Sequence, residues 1–395
     1  MGESGNQSVP TGHGLDWVRR LIAFDTTSRR SNRELIDCVD DYLRGLGLSV
    51  AMTSDQHGAK ANLFATLPGA RGRATGGLIL SGHTDVVPVD GQRWTSDPFS
   101  AELRGGRLYG RGASDMKGFL GIALGLVPAF RDMALDEPVH LALSFDEEVG
   151  CLGAPLMIAD IVGRGVSPTG CIVGEPTSMK PVVAHKSIRI LRCRVTGLPA
   201  HSSRTHEGVN AIEHAARIIA FIRDRGEQLR AQGSSILGFD PPFTTISVGQ
   251  VEGGTASNIV AEHCEFLFEY RCLPGEDPDR LEAEIRHFID RTIMPEMLAV
   301  HIGSQVTLEA LAAVPAFASE EDSELAVLAE RLTGAPPSRA AYCTEAGQFG
   351  SADIPTIICG PGSIEQAHKG DEWVSLDQLA RCERFLAQVV QLARE

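Results

Sequence analysis

The segment VHLALSFDEEVG, residues 139–150, places the strongest constraint on how this chain can fold. Its first part is a short apolar run that begins directly after Pro138, a pattern typical of a buried strand. Three acids follow at once, Asp146, Glu147 and Glu148. Carboxylates grouped at the end of a buried strand repel one another and lose solvation, so they do not stabilise the fold. The pattern therefore indicates a metal site or a proton-transfer site.

Length and composition limit the class of protein. A chain of 395 residues favours two domains over a single core. The formal net charge of −15 argues against nucleic acid and against an anionic membrane surface as partners. No apolar run reaches the ~18 residues of a bilayer-spanning helix, and no signal peptide is visible at the N-terminus. Nine cysteines without a C-x-x-C pair are typical of a reducing compartment. We expect a soluble, cytoplasmic protein.

Buried strand patterns alternate with helical patterns through the first part of the chain and return at its end. This alternation predicts an α/β fold with a mostly parallel sheet flanked by helices. The strands are expected at 62–67, 77–81, 139–145, 170–173 and 355–359, and helices at 15–24, 119–130 and 321–332.

The pattern changes near residue 184, where apolar and polar residues alternate as they do in half-exposed strands. The expected order of elements is then βαββαβ, the ferredoxin-like unit. Its strands are expected at 186–196, 244–251, 262–272 and 304–309, and its helices at 211–225 and 279–293. We therefore predict that residues 1–183 and 313–395 form one domain and that residues 184–312 form a second, inserted domain.

Five candidate metal ligands follow predicted strands or lie beside glycine-rich turns. In open α/β sheets, ligand sites form at the carboxyl ends of the strands, so separate strands can deliver all five groups to one place. Two imidazoles and three carboxylates suit a pair of divalent ions of the zinc or cobalt type, with Asp115 as the bridging carboxylate. The five are His83 in LILSGHTDVVP, Asp115 in GRGASDMKG, Glu148 in SFDEEVG, Glu175 in CIVGEPT and His368 in GSIEQAHKGDEW.

Each of these residues, taken alone, has a commoner structural interpretation. An isolated His83 is more often a core or surface histidine than a ligand. Asp115 fits a helix N-cap, and Glu175 fits a turn before a proline. His368 fits a solvated loop, since short motifs often mislead. The coincidence of all five at strand ends is what favours a metal site.

The motifs SGHTDVVP, GRGASDMKG, DEEVG and VGEPT, followed by the late His368, resemble those of the M20 family of dinuclear zinc amidohydrolases. The resemblance spans nearly the whole chain and implies a zinc-peptidase-like fold whose inserted domain is a lid that also forms a homodimer. Within the family, GEPTSMKPVVAHK, TEAGQF and CGPGSIEQAHKGDEWV most resemble the acetylornithine deacetylases. The implied reaction is hydrolysis of N2-acetyl-L-ornithine to L-ornithine and acetate, a step of arginine biosynthesis.

The resemblance also implies a metal-binding role for each of the five candidate ligands. His83 and Glu175 are expected to hold one zinc ion, and Glu148 and His368 the other. Asp115 is expected to bridge the two, and cobalt could replace zinc.

Three residues receive catalytic roles from the same resemblance. Glu147 is expected to be the general base that takes a proton from the attacking water. Asp85, two residues after His83, is expected to orient that imidazole through its carboxylate. His201, in GLPAHSS of the lid, is expected to stabilise the oxyanion in the partner subunit's site.

Four more residues are candidate substrate contacts: Asn258 in ASNIVAEHC, Arg271 in EYRCLPG, Gly360 in CGPGS, and Glu345 in TEAGQF. Arg271 could equally be an edge-protecting charge, and Asn258 a turn former. Gly360 could offer a backbone N–H to the substrate or simply make a turn. Glu345 is the candidate partner for a side-chain ammonium of the substrate.

Two other functions remain open at this stage. One is a sibling activity, either desuccinylation of succinyl-diaminopimelate or a broader aminoacylase or dipeptidase. The other is a non-catalytic dimeric binding protein that keeps the fold. The presence of every ligand and of Glu147 argues against the second, because a degraded homologue is expected to lose at least one of them.

Overall fold

The structure, a computed structural model, describes residues 8–233, 236 and 238–392. The chain divides into two compact units. The first unit contains the residues up to 184, with 317–338 and the residues from 344 onward; the second contains 185–316 and 339–343. The sequence predicts breaks after residues 183 and 312, and it contains no signal for the return of 339–343 to the second unit.

Helices account for much of the described chain. Besides the α-helices, the chain forms 3-10 turns at Ala70–Gly72 and Ser202–Glu207 and a π-helical turn at Ile289–Ile293. No helix among the described residues is long and apolar enough to cross a membrane. The α-helices are α1 (Gly12–Ile22), α2 (Arg33–Gly45), α3 (Lys117–Asp132), α4 (Ala154–Gly163), α5 (Ala211–Gln232), α6 (Pro278–Phe288), α7 (Met294–Val300), α8 (Glu324–Thr333), α9 (Ala346–Ser351) and α10 (Leu376–Leu392).

The strands form three sheets. They are β1 (Ser49–Ser54), β2 (Ala61–Leu67), β3 (Leu78–His83), β4 (Glu102–Arg104), β5 (Arg107–Tyr109), β6 (Val139–Ser144), β7 (Gly170–Pro176), β8 (Val182–His185), β9 (Ile188–Thr196), β10 (Thr245–Gly253), β11 (His263–Arg271), β12 (Gln305–Val314), β13 (Phe317–Ala318), β14 (Ser338–Ala340), β15 (Thr356–Gly360) and β16 (Trp373–Ser375).

The large sheet has the order β1-β2-β6-β3-β7-β15-β8-β13, with β14 paired to β8. Its centre, β6-β3-β7-β15, is parallel. Towards the two edges the pairing becomes antiparallel, between β1, β2 and β6 and between β15 and β8. The predicted mostly parallel sheet flanked by helices is confirmed, and the parallel centre is the part that positions the candidate site.

Helices cover both faces of this sheet because alternate strand residues point to opposite sides. On β3, Leu78 and Leu80 join the main apolar core, to which α1, α2, α3 and α10 also contribute. Ile79 and Ser81 alternate with them and lie outside that core. On that other side, α4 packs on β2 and β6, and α9 packs on β15. The two-sided cover explains why the central strands are apolar throughout.

A small third sheet, β16-β5-β4, holds the segment that follows His368. Its β4–β5 turn is a two-residue hairpin at Gly105-Gly106, and both glycines have positive φ, +55° and +74°. A two-residue hairpin loop of this kind requires positive φ at both positions. Pairing of β16 with β5 carries Glu372 to the neighbouring loop, where its carbonyl accepts a hydrogen bond from Gly110 N–H at 3.0 Å.

The second unit is built on the antiparallel sheet β10-β11-β9-β12. Its helices α5 and α6 pack together, and α5 lies against the sheet. Strand order and chain order together are those of the predicted ferredoxin-like unit. The predicted helix 279–293 is α6 followed by the π-helical turn, and the last strand extends beyond the predicted 304–309 to Val314.

One close packing contact in the first unit gives a direct test of the fold. Gly174 of β7 faces Phe119 of α3, and an added Cβ would lie 2.0 Å from the ring atom Cγ. Both residues are buried. We expect Gly174→Ala to lower the free energy of unfolding by about 1–3 kcal/mol, because the ring and the strand must separate. Urea denaturation in the presence of a chelator measures this change.

Gly163→Ala is the matched control. Gly163 ends α4, and an added Cβ there would meet nothing within 4 Å. This variant is expected to be neutral or slightly stabilising, because alanine favours the helix. Equal unfolding free energies for Gly174→Ala and the wild type would contradict the packing of α3 on β7.

Candidate metal centre

Histidine and carboxylate side chains converge at the carboxyl ends of the parallel strands. His83 is the last residue of β3, and Glu175 is the next-to-last residue of β7. Glu148 lies in the turn that follows β6. Because β6, β3 and β7 are parallel neighbours, these three positions meet at one edge of the sheet.

Asp115 lies in the loop before α3, between two histidines. Its Oδ1 is 3.0 Å from His83 Nε2, and its Oδ2 is 3.3 Å from His368 Nε2. The N-cap of α3 is Met116, so Asp115 is not the helix cap that the sequence left open. One carboxylate therefore faces two imidazoles, each with a different oxygen.

Two groups of three ligand atoms share this carboxylate. In the first, His83 Nε2 lies 3.8 Å from Glu175 Oε1. In the second, His368 Nε2 lies 2.9 Å from Glu148 Oε2. Within each group, the ligand atoms of the three residues all lie within 4.8 Å of one another. We call them the His83 triad (His83, Asp115, Glu175) and the His368 triad (Asp115, Glu148, His368).

The residues fit a pair of divalent cations. Glu148 Oε1 and Glu175 Oε1 are buried, and neither has a hydrogen-bond partner within the described chain. A buried carboxylate oxygen without a partner is costly. Imidazole and carboxylate donors suit a transition-metal dication such as zinc. One ion in each triad, with Asp115 shared, would satisfy both oxygens.

The electrostatics of the cluster support the same conclusion. Burial raises the pKa of Glu147 to about 8, and burial together with the charge of Asp115 raises the pKa of Glu148 to about 7. Burial and the Asp115 charge also raise the pKa of Glu175 well above its usual range. Hydrogen bonds to Asp115 and Glu148 raise the pKa of His368 to about 10. Near neutral pH the metal-free cluster thus retains protons that a bound cation would replace.

Asp85 makes different contacts from the predicted ones. The Nδ1–H of His83 donates to the backbone carbonyl of Asp85 at 2.9 Å, whereas the Asp85 carboxylate is 3.6 Å from that nitrogen. The carboxylate accepts instead from the N–H groups of Glu147 and Glu148, at 3.1 and 3.3 Å. Ser28 Oγ donates to it as well, at 2.7 Å. Asp85 therefore orients the imidazole with its carbonyl and the acidic turn with its carboxylate.

Glu147 lies beside the ligands but belongs to neither triad. Its backbone N–H donates to the carboxylate of Asp85, and Cys151 Sγ lies 3.4 Å from its Oε1. The side chain is half-buried. This carboxyl group therefore lies next to the two triads without being part of either.

Asp146, the first of the three acids, forms an ion pair that sequence reasoning missed. Its Oδ2 lies 2.6 Å from Lys60 Nζ, and Lys60 also donates to the backbone carbonyl of Ser28. Asp146 has a φ of +55°, so the strained turn is held by a charge-assisted bond. Lys60 is 86 residues away along the chain, and no local pattern marks it as the partner.

Glu345 does not fit the predicted contact with a substrate ammonium. It has no exposed surface. Its two oxygens accept hydrogen bonds from Ser81 Oγ and Ser144 Oγ, each at 2.6 Å. Ser81 lies two residues before the end of β3, and Ser144 is the last residue of β6. Glu345 thus bridges two strands beneath the candidate centre, and its pKa is raised by burial.

Gly360, for which the sequence left open a backbone N–H contact with substrate or a turn, packs closely against β7. Its N–H donates to Thr177 Oγ1 at 3.2 Å. An added Cβ would lie 2.0 Å from the carbonyl oxygen of Gly174 and 2.5 Å from that of Glu175. Only glycine allows β15 to approach β7 so closely beside a candidate ligand.

The remaining predicted site residues lie in the second unit. His201 is exposed, and its Nδ1 accepts from the N–H of Ser203 at 3.2 Å. Its neighbour Ser202 donates from N–H to the carbonyl of Asn258 at 3.0 Å, so the His201 and Asn258 segments adjoin. Arg271 ends β11, and its Nε donates to Glu269 Oε1 at 2.9 Å. Since β11 lies between β10 and β9, Arg271 is not an edge-protecting charge.

Comparison with known sequences identifies related proteins. Residues 79–392 match the peptidase family M20/M25/M40. An acetylornithine deacetylase from Proteus mirabilis (strain HI4320) is 34% identical over 400 residues, which cover 98% of this chain and 97% of that protein. An acetylornithine deacetylase from Myxococcus xanthus is 34% identical over 382 residues, covering 94% of this chain and 95% of the relative.

Solved structures share the fold at lower identity. The M20 family metallo-carboxypeptidase Sso-CP2 from Sulfolobus solfataricus has a TM-score of 0.76 at 18% identity, covering 97% of this chain and 100% of the other. A dinuclear metal binding peptidase of the M20 family from Bacillus subtilis has a TM-score of 0.66 at 14% identity, covering 96% and 97%. With the family match and relatives above 30% identity over nearly its full length, the chain belongs to the peptidase family M20/M25/M40 and is a hydrolase.

Proposed function

We propose that this hydrolase cleaves the amide bond of an N-acyl amino acid and that its substrate is N2-acetyl-L-ornithine. The observation that carries the proposal is the pair of triads sharing Asp115, with the carboxyl group of Glu147 beside them and in neither. The curated relatives named acetylornithine deacetylase support the choice of substrate. The products would be L-ornithine and acetate.

The two triads are the proposed binding sites for two divalent ions, zinc or cobalt. When bound, such ions polarise the acyl carbonyl. They also lower the pKa of a water molecule, so that hydroxide is available at neutral pH to attack the carbonyl carbon. His83 and Glu175 would hold one ion, and Glu148 and His368 the other. Asp115 would contact both, since its two oxygens face the two imidazoles separately.

Glu147 is the proposed general base and acid. It would take a proton from the attacking water and return it to the leaving amine. Burial raises its pKa to about 8 in the metal-free cluster, and cations in the triads would lower that value towards neutrality. A pKa near the working pH suits a group that must both accept and donate a proton. Asp85 holds the Glu147 backbone by its carboxylate.

The second unit is proposed to complete the site through a homodimer. Ser203 N–H donates to His201 Nδ1, so that nitrogen is an acceptor and the ring proton of the neutral imidazole is on Nε2. An exposed Nε2–H is a suitable donor for the oxyanion of a tetrahedral intermediate. We propose that it serves the partner subunit's site and that Asn258 and Arg271 contact the substrate's carbonyl and carboxylate.

A substrate comparison tests the reaction itself. We expect metal-loaded protein to hydrolyse N2-acetyl-L-ornithine with a kcat/KM at least about tenfold above that for N-succinyl-diaminopimelate, because the succinyl carboxylate requires an anion contact of its own. Kinetics with added zinc or cobalt measure the ratio. A reversed ratio would assign a desuccinylase, and hydrolysis confined to other acyl amino acids or dipeptides would assign an aminoacylase or dipeptidase.

Replacement of the proposed base tests its role. In Glu147→Gln, kcat is expected to fall by about 10²–10⁴-fold, because the amide cannot accept the proton of the water. Elemental analysis should still find the wild-type metal content. Glu330→Gln, an exposed carboxylate on α8, is the control and should retain full activity. Wild-type turnover by Glu147→Gln would refute the assignment.

Subunit mixing tests the dimer and the origin of His201 together. His201→Ala is expected to lose about 10²–10³-fold in kcat while binding metal normally, because one oxyanion donor is removed. When this variant is mixed with Glu147→Gln under conditions of subunit exchange, about a quarter of the wild-type activity should return, since half of the dimers are mixed and each has one intact site. Sedimentation as a monomer, or no recovery after exchange, would contradict the shared site.

A further inference from the structure

A buried carboxylate outside both triads holds the loop that carries Asp115. Glu372 is 1% exposed. Its Oε1 accepts from the backbone N–H groups of Ser114 and Asp115, at 2.8 and 3.1 Å. Its Oε2 accepts from Gly112 N–H at 3.1 Å and from Arg111 Nη1 at 2.6 Å. One side chain thus accepts hydrogen bonds from three backbone N–H groups of the loop that carries the shared ligand.

Hydrogen bonds also link the Glu372 carboxylate to the loop that contains His368. Arg111 is also 1% exposed, and its second terminal nitrogen, Nη2, donates to Gln92 Oε1. Gln92 Nε2 donates in turn to the backbone carbonyl of His368 at 3.0 Å. An unbroken chain of hydrogen bonds therefore runs from the N–H of Asp115, through Glu372, Arg111 and Gln92, to the residue that faces the second oxygen of Asp115.

The loop uses this carboxylate as the acceptor for the backbone N–H groups of Gly112, Ser114 and Asp115. Gly112 has a φ of +82°, and a Cβ there would lie 2.8 Å from Val86 Cγ1. The loop is thus in a conformation open mainly to glycine. Backbone N–H groups that point inward need an acceptor. A negatively charged acceptor makes the strongest such bonds, and the Arg111 guanidinium offsets its burial.

We infer that Glu372 is a positioning residue of the metal centre: it sets the place of Asp115 between the two ions and couples it to the His368 loop. The inference rests on the proposed function, since it concerns the ions proposed above. A ligand must be held to within about half an ångström to bind a metal ion well. Residues that hydrogen-bond to the ligand segments supply that precision.

Glu372→Gln tests the inference with little change of shape. The amide nitrogen is a donor, so it must face either the N–H groups of Ser114 and Asp115 or those of Gly112 and the Arg111 guanidinium. One of these two sets of hydrogen bonds is then lost. We expect the affinity for zinc, measured by competition with a chelator, to fall by about 10–100-fold at both sites, since both use Asp115. This readout does not depend on substrate turnover.

Thr66→Val is the matched control for a purely structural effect. Thr66 is buried on β2 and makes a hydrogen bond with His140 Nδ1 at 2.9 Å. His140 lies near the start of β6, at the opposite end from the metal centre. This variant should lower the urea midpoint of unfolding and leave zinc affinity unchanged. Wild-type zinc affinity in a folded Glu372→Gln protein would overturn the inference and leave Glu372 with a stability role alone.

Gln92→Ala provides a second variant that is not required for the core. Gln92 is half-buried in a loop, and its removal breaks only the link from Arg111 to His368. We expect the zinc affinity of the His368 triad to fall, while the zinc affinity of the His83 triad remains unchanged. Unchanged zinc affinity at both sites, or an equal fall in affinity at both, would overturn the inferred coupling between Glu372 and the His368 loop. Gln388→Ala, at an exposed position of α10, is the control.

The same titrations separate this inference from the function on which it rests. If the wild-type protein binds no zinc or cobalt, the proposed metal-dependent reaction fails and the inference fails with it. If the wild type binds two ions and Glu372→Gln binds them equally well, the inference alone fails.

Discussion

Buried negative charge at the carboxyl ends of three parallel strands is the constraint on which the rest of this site depends. Glu148 and Glu175 each present a buried oxygen without a hydrogen-bond partner among the described residues, and burial raises the pKa of both groups. Such a cluster is unfavourable in an empty protein, because desolvation and mutual repulsion act in the same direction. Divalent cations in the two triads would turn that repulsion into attraction. Of the three acids after β6, Glu148 is the one whose side chain would contact such an ion.

Polar groups outside the two triads hold the ligand segments in place. Asp85 fixes the acidic turn, Lys60 neutralises Asp146, and Glu372 secures the loop of Asp115. Each uses a charged group to satisfy backbone donors or an opposite charge in a low-dielectric setting, where such bonds are strongest. Glu345 joins the strands beneath the centre by accepting hydrogen bonds from two serine hydroxyls. The result is a rigid frame on strand ends and short loops, which suits chemistry that needs exact ligand distances.

Sequence reasoning succeeded where a residue's role follows from its own position. The parallel centre and the inserted ferredoxin-like unit follow from local patterns, and the structure has both. It was less successful where a role depends on which atom of a residue is used. Asp85 orients His83 with its carbonyl rather than its carboxylate. Gly360 donates its N–H to Thr177, and Glu345 accepts hydrogen bonds from two serines. These partners are distant in sequence, so local patterns do not indicate that the two groups are already hydrogen-bonded.

By itself, the sequence determined the type and order of the elements and the positions of the candidate ligands, because periodicity, glycine turns and strand-end motifs are local properties. Only the tertiary structure decided which groups support those ligands. Glu372 is 257 residues from Asp115, and Lys60 is 86 residues from Asp146. No local pattern pairs residues so far apart, since such contacts exist only once the strands are in register and the loops are packed. The DEE segment was recognisable from the sequence as chemically unusual; that its first acid pairs with a lysine while its third faces His368 and Asp115 is a consequence of the fold.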